Sequence, residues 1–423
     1  MSLAKTSLYN GIAVMVRVAS VLALNKVLAV YVGPTGYAVI GQFQNAVAIL
    51  TSLAGGVVAT GVTKATAQHF DDEAKQRTVW QTAVRFSLMA SLIVAGGLMI
   101  LSDTMAEWLL HKAEMGGVFF WLAVTLPALA LNNLLLAIIN GKKEIGIYVA
   151  ANIIGSLIGL IVTGMLTFRF GLYGALLALA VNPALTLLAT GFFVFKKKWF
   201  RLSSIWGGID SGAFRELAGF GLMAVTTACM VPLTHMLIRD HLSTQLGLQA
   251  AGYWQALWKI SDIYLMLITS TLSVYYLPRI AEIRTAGELR SEIAKTYRFL
   301  LPLTVLGAAS IFLLRDFIIR VLFTGDFMPM RELFPWQLAG DVIKMSAWML
   351  GYVVIGRGLV KFFVAKEIGV GIAFVLLTHL YVGEFGLPGV TAAYALTYLA
   401  NWAFLILIVC HEMRRMKIEY AGR

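Results

Sequence analysis

The chain has 423 residues, 59% of them apolar and only 13% charged, with a mean hydropathy of +0.80 and a formal net charge of +12. Soluble domains run at about 45–50% apolar and about 25% charged, so a soluble class is excluded and an all-α polytopic membrane protein is expected. At roughly 20 apolar residues per membrane helix, about 12 spans with short loops fill the length and leave no room for a soluble domain.

The opening MSLAKTS leads straight into a hydrophobic run that carries Arg17 and is too long for a signal-peptide core, so an uncleaved first span is expected. Apolar runs broken by charged or Gly/Pro clusters predict spans at 8–32, 37–61, 80–101, 118–140, 145–167, 174–195, 217–239, 251–278, 299–323, 334–356, 362–382 and 388–410. The runs are too long and too continuously apolar for barrel strands, which leaves helices to satisfy the backbone in lipid. The longest polar connection, Lys196 to Glu216, divides the chain into residues 1–198 as an N-terminal six-helix lobe, 199–216 as a cytoplasmic linker and 217–423 as a C-terminal six-helix lobe. GYAVIGQFQNAVAIL and GYWQALWKISDIYLML start the second span of each half, a faint internal echo.

Basic residues set the orientation. With the N-terminus cytoplasmic, the inside segments hold clusters such as Lys196, Lys197, Lys198 and Arg201, or Arg279, Arg284 and Arg290, with Lys366 counted after the tenth span. The outside segments hold only Lys112, Arg169, Arg239 and Arg331, with Arg315 and Arg320 at the outer end of the ninth span. Both termini are therefore expected inside, and the positive balance belongs to topology rather than to nucleic acid.

Arg17, Lys26, Arg85, Lys259 and Lys344 remain within spans, with only Asp262 and Asp341 as acids at comparable depth. A charge at the centre of a membrane helix costs about 2.5–3.5 kcal/mol on insertion scales and usually faces a bundle interior or a wet cavity. Lys259 with Asp262, and Asp341 with Lys344, stand three residues apart and can neutralise each other. Arg85 lies near the end of its span and can snorkel. Lys26 sits about 10 Å before Gly33, whereas Arg17 is harder to bring to an interface. The surplus of positive charge suits a multiply anionic substrate such as a pyrophosphate.

Neutral polar residues inside spans, Gln42, Gln44, Asn45, Asn132, Asn133, Asn140, Asn152, Gln255 and Gln337, are candidates for glycan contact or for interhelical hydrogen bonds. Asn133 and Asn140 share a helical face. Trp254, Trp258, Trp336 and Trp348 fit sugar stacking, packing or an interfacial belt. Cys229 and Cys410 read as small core residues, and Asp71-Asp72-Glu73 as a solvated charge run. There is no phosphate-binding G-x-x-x-x-G-K-[ST] and no Cys/His metal spacing, so no cofactor and no metal are expected.

In order and spacing, MSLAKTSL, KVLAVYVGPTGYAVIGQFQN, GVTK, ISDIYLMLITSTLSVYYLPRIAEI, LLRDF and PWQLAGDVIKMSAWMLGYVVIGRG make the chain resemble bacterial flippases of undecaprenyl-pyrophosphate-linked oligosaccharides. These are the O-antigen and enterobacterial common antigen lipid III flippases of the multidrug/oligosaccharidyl-lipid/polysaccharide exporter superfamily. The resemblance implies two six-helix lobes around a central cationic cavity, a place in the bacterial inner membrane, and alternating access driven by H+ or Na+. It implies a lipid-linked glycan as substrate and a polysaccharide polymerase and chain-length regulator as partners, with no nucleic acid. Cavity positions carry over to Arg17, Lys26, Asp262, Asp341 and Lys344, whereas Lys259 stands where relatives have a small polar residue.

The expected function is transfer of an undecaprenyl-pyrophosphate-linked oligosaccharide, an O-antigen or enterobacterial common antigen unit, from the cytoplasmic to the periplasmic leaflet. Arg17, Lys26, Lys259 and Lys344 would hold the pyrophosphate, Gln42, Asn45, Asn133, Asn140, Gln255 and Gln337 the glycan, and Asp262 or Asp341 the coupling ion. A multidrug antiporter of the same superfamily is the rival, although its cationic drugs favour acidic cavities. A multispan polysaccharide polymerase would be an enzyme, and the longest outer loop, about Ser102 to Gly117, lacks a catalytic constellation.

Overall fold

A computed structural model describes the backbone of residues 3–56, 58–197, 199–219 and 221–421. Side chains are described for all of these except 3–14, 17, 216, 218, 219, 221–223, 267, 270, 271, 273, 274, 278 and 417–421. The described residues form an all-α fold with no strand. Contacts divide the chain into two compact units, Met1–Leu233 and Thr234–Arg423.

In the first unit, α1 (Leu3–Thr51) leads through a π turn, Ser52–Gly56, to α2 (Val58–Gln68), α3 (Glu73–Ile100), α4 (Ser102–Leu110), α5 (Gly116–Gly141), α6 (Ile145–Phe195) and α7 (Ser211–Gly219). Helix α8 (Gly221–Leu246) enters the second unit. There α9 (Leu248–Thr271) is followed by a π turn, α10 (Leu277–Glu282), α11 (Ala286–Leu322), α12 (Phe334–Gly356), α13 (Val360–Phe385) and α14 (Pro388–Ala421).

Among the described residues, six helical stretches are long and apolar enough to cross a membrane: Val18–Gly56, Glu73–Ile100, Ala113–Gly141, Ile145–Phe195, Gly325–Gly356 and Pro388–Met416. At 1.5 Å per residue the 51 residues of α6 would run about 77 Å, more than twice a hydrocarbon core of about 30 Å. The helix is broken at Gly171, whose φ of 56° and ψ of −133° turn the chain, so α6 holds two predicted spans. Gly33 does the same in α1 at φ 61°, and the Pro34 ring that follows is pre-set for a new first turn. The expected spans at 217–239, 299–323 and 362–382 overlap α8, α11 and α13, and that at 251–278 overlaps α9 and the π turn after it; each of these helices has spanning length.

The segment after α6 is anchored to the first unit. Trp199 packs against two buried clusters, one built on Trp80, Val84 and Leu134 and the other on Ile139, Val194 and Phe200. Glu144 accepts from Lys197 Nζ at 3.1 Å and from Trp199 Nε1 at 3.3 Å. Gln81 Nε2 donates to the Ser203 carbonyl and Arg85 Nη1 to that of Gly207, both at 3.1 Å, while Thr82 Oγ1 accepts from the Asp210 N–H at 3.0 Å. Arg85 is exposed and reaches this segment, the role its position near a span end allows. Lys142 Nζ lies 5.6 Å from the Trp80 and Trp199 ring centres and 5.8 Å from that of Phe70.

Several sequence readings change here. Asp72 does more than sit in a solvated run: its carboxylate caps α3 by accepting the Lys75 N–H at 3.0 Å. That N–H holds the Asp72 carboxyl below its ordinary range, so the cap is complete at neutral pH and fades as pH falls through that lowered value. Cys410 is exposed and Cys229 half-buried, and both are free, so neither is a core residue. Arg239 is buried inside α8 rather than in an outer loop, and Lys366 is buried inside α13, where its ammonium pairs with Glu367 at 2.5 Å. Glu367 is therefore a further acid within a predicted span, because helix α13 begins before the run of apolar residues does.

Trp199→Ala should remove the anchor of residues 199–210, costing about 2 kcal/mol for a half-buried indole. Limited proteolysis in membranes should then cut this segment several-fold faster than in the wild type; equal cutting would contradict the docking.

Candidate functional site

The sequence-predicted residues separate by unit. In the first unit the Arg17 side chain lies outside the described residues, Lys26 is half-buried in α1, and Gln42 is buried in the same helix. Asn45 is half-buried with its Nδ2 lacking a hydrogen-bond partner, Asn133 is half-buried in α5, and Asn140 is exposed at the end of that helix. The second unit gathers its candidates far more tightly.

Helix α12 places Gln337, Asp341, Lys344 and Trp348 at i, i+4, i+7 and i+11, a single stripe at helical spacing. Helix α9 supplies two neighbouring stripes. Trp254, Trp258 and Ser261 are buried, whereas Gln255, Lys259 and Asp262 pass from buried through half-buried to exposed. Helix α14 adds Tyr394 and Tyr398, one turn apart, and α8 adds His235 and Arg239 at the same spacing.

Asp341, fully buried, is held by neutral donors. Ser261 Oγ donates to Oδ2 at 2.6 Å, Tyr394 Oη to Oδ1 at 2.7 Å, and Gln337 Nε2 to Oδ1 at 3.4 Å. Gln337 Nε2 also donates to Ser261 Oγ at 3.2 Å, so one network ties α9, α12 and α14 together. Gly340 makes this possible: a Cβ there would come within 2.4 Å of the Tyr394 ring, and only glycine lets the phenol lie so close to α12.

Lys344, 6% exposed, has no carboxylate within 4.0 Å of its ammonium among the described residues. Its Nζ instead lies 4.8 Å from the ring centre of Trp258, 5.0 Å from Trp348, 5.2 Å from Tyr398 and 5.6 Å from Tyr394. Desolvating an ammonium costs several kcal/mol, and each aromatic face returns about 0.5–2 kcal/mol at such distances. Three of the four rings brace one another, with Tyr394 5.2 Å from Trp258 and 5.0 Å from Tyr398.

A second buried cation continues the array. Arg239 Nη2 donates to Gln255 Oε1 at 2.5 Å, and its guanidinium lies 5.6 Å from the Trp254 ring centre. His235 fills the space between, 4.2 Å from the Trp258 ring and 5.5 Å from that of Trp254. Lys259 and Asp262 share α9 without an ion pair shorter than 4.0 Å among the described residues, so nearness in sequence does not close a salt bridge. No group of three or more His, Cys, Asp or Glu is placed to hold a metal among the described residues.

Of the residues singled out from the sequence, the structure brings Asp341, Lys344, Gln337, Trp258 and Trp348 together and sets Gln255 beside Arg239, and it adds Ser261, Tyr394, Tyr398 and His235, which the sequence reading did not single out. The i, i+4 pairs His235/Arg239 and Tyr394/Tyr398 are the signal that was available.

Tyr394→Phe keeps a ring over Lys344 but removes a donor from a buried carboxylate, which should destabilise the protein by about 1–3 kcal/mol. Gly340→Ala, which displaces the whole ring, should lower the thermal transition in detergent further. Unchanged transitions in both variants would contradict this network.

Residues 13–332 match the family described as polysaccharide biosynthesis protein. The lipid III flippases of Escherichia coli (strain K12) and Shigella flexneri are each 32% identical over 404 residues, covering 95% of this chain and 97% of theirs. Among solved structures, an inward-facing multidrug resistance MATE family transporter of the MOP superfamily superposes with a TM-score of 0.81 at 16% identity, covering 96% of this chain and 99% of that one. A MOP superfamily transporter from Pyrococcus furiosus gives a TM-score of 0.72 at 16% identity, covering 98% and 96%. Identities this low speak to fold alone, whereas the family match and the relatives at 32% speak to kind. The chain belongs to the polysaccharide biosynthesis protein family, shares the fold of those MOP superfamily transporters, and is a multi-pass membrane flippase and not an enzyme.

Proposed function

We propose that this flippase moves an undecaprenyl-pyrophosphate-linked oligosaccharide from the cytoplasmic to the periplasmic leaflet of the bacterial inner membrane by ion-coupled alternating access. The observation that carries the reading is the buried ammonium of Lys344, surrounded by rings and with no carboxylate within 4.0 Å among the described residues. A cation stored this way is available to a phosphate-bearing guest, because no ion pair has to be broken first. Arg239 and Lys259 extend positive charge through the same unit. The lipid III flippases to which the chain is 32% identical support the substrate class.

Asp341 fits the coupling-ion role better than Asp262 does. Its three donors are hydroxyl and amide groups that rotate or retune when the carboxylate takes up an ion, and they reach it from three helices. Asp262, exposed on α9, fits a contact that meets water or substrate. Gln255 and Gln337 are both engaged in buried hydrogen bonds, Gln255 with Arg239 and Gln337 with Ser261 and Asp341, so their glycan contact would come after rearrangement. Export of cationic drugs is disfavoured by Lys344, Arg239 and Lys259 in one unit.

The test is transfer of labelled undecaprenyl-pyrophosphate-linked oligosaccharide across liposomes containing only this protein. Wild type should move it in response to an imposed H+ or Na+ gradient. Asp341→Asn should slow the gradient-driven rate at least tenfold, about 1.4 kcal/mol in barrier. Failure of the wild type to move the glycan would overturn the substrate assignment, and a gradient response intact in Asp341→Asn would overturn the coupling role.

A further inference from the structure

We infer that Trp258, Trp348, Tyr394 and Tyr398 form a binding site for alkylammonium cations, occupied from within the chain by Lys344, and that Lys344 is the residue that keeps organic cations out. The inference goes beyond the proposed glycan transport and stands or falls separately from it.

Four aromatic faces converging on one point are the chemistry that recognises an organic cation: their negative faces take the place of water around a diffuse positive charge. All four ring centres lie between 4.8 and 5.6 Å from Lys344 Nζ, which puts the ammonium inside the arrangement rather than along its edge. Behind the rings stands a carboxylate. Tyr394 shares one face with Lys344 while its hydroxyl donates to Asp341 at 2.7 Å, so the negative group is placed next to the cage but is not spent on the ammonium.

A merely structural filler for this space would not need a charge. A methionine has similar length and avoids the desolvation cost. With lysine present, an incoming cation would meet both a filled space and a like charge, a repulsive element that sets selectivity as much as any attraction does. Trp348 and Tyr398 are half-buried, which gives the cage a side that is not sealed. The charged and titratable groups of the surrounding elements are His235 and Arg239 on α8, Lys259, Asp262 and Tyr264 on α9, Asp341 on α12 and Glu367 on α13. The bases among them weaken the emptied site without removing its rings.

Binding of tetramethylammonium and of n-butylammonium to the purified full chain is followed by tryptophan fluorescence, to which Trp258 and Trp348 contribute among the ten tryptophans of the chain. Lys344→Ala should bind both saturably, at least tenfold more tightly than wild type, and adding Trp348→Leu should weaken that binding. Lys344→Met, whose side chain refills the cage without charge, should not gain the affinity. Wild type and Lys344→Ala responding alike, or Lys344→Met binding as well as Lys344→Ala, would overturn the inference.

If Lys344→Ala is not recovered folded, Lys344→Cys in a Cys229→Ser, Cys410→Ser background keeps the idea testable. Modification with a trimethylammonium-ethyl thiosulfonate should return the thermal transition toward wild type, and a sulfonate-ethyl reagent should not. Equal effects of the two reagents would overturn it.

Discussion

The second unit depends on keeping two opposite buried charges apart. Asp341 and Lys344 lie one turn apart on α12, yet the carboxylate takes its hydrogen bonds from Ser261, Tyr394 and Gln337 while the ammonium takes aromatic faces. Direct pairing would satisfy both charges and leave neither for a guest or an ion. Tyr394 enforces the separation by serving each charge with a different part of itself, the hydroxyl for one and the ring for the other. Its position depends on Gly340, where the missing side chain lets α14 approach α12.

This arrangement links helix geometry to transport chemistry. An i, i+4, i+7 stripe brings Gln337, Asp341 and Lys344 to one face of α12, and the facing stripes of α9 and α14 supply the hydroxyls and rings. A change at the carboxylate therefore acts on side chains that also surround the ammonium. Under the proposed function, that shared tyrosine is the physical route by which an ion bound at Asp341 and a phosphate near Lys344 sense each other. The first unit contributes differently: breaks at Gly33 and Gly171 fold two long helical stretches into paired spans, and the segment after α6 is clamped by Trp199, Gln81 and Arg85.

Much of the helical organisation was legible in the sequence because length and hydropathy dictate it, and the glycines that break α1 and α6 fall in the gaps between predicted spans. Boundaries near charged residues were harder. Arg239 and Lys366 looked like loop residues because a topology count treats basic side chains as interfacial, whereas Gln255 and Glu367 give each a partner inside the protein. The residues around Asp341 and Lys344 were half legible. Their depth and charge drew notice, and three-residue spacing pointed to mutual pairing. Apart from Gln337 and Trp348 on α12 itself, the donors and rings come from α9 and α14, some 80 and 50 residues away in sequence, and no local pattern shows which of two neighbouring groups a charge will choose.

The most direct test of this separation is how well the protein in nanodiscs distinguishes a lipid-linked glycan carrying a pyrophosphate from one carrying a single phosphate. If Lys344 is a cation held ready for phosphate, wild type should prefer the pyrophosphate form clearly, and Lys344→Met should lose at least tenfold of that preference. A preference unchanged in Lys344→Met would contradict the account, since it would mean that the caged ammonium serves packing alone.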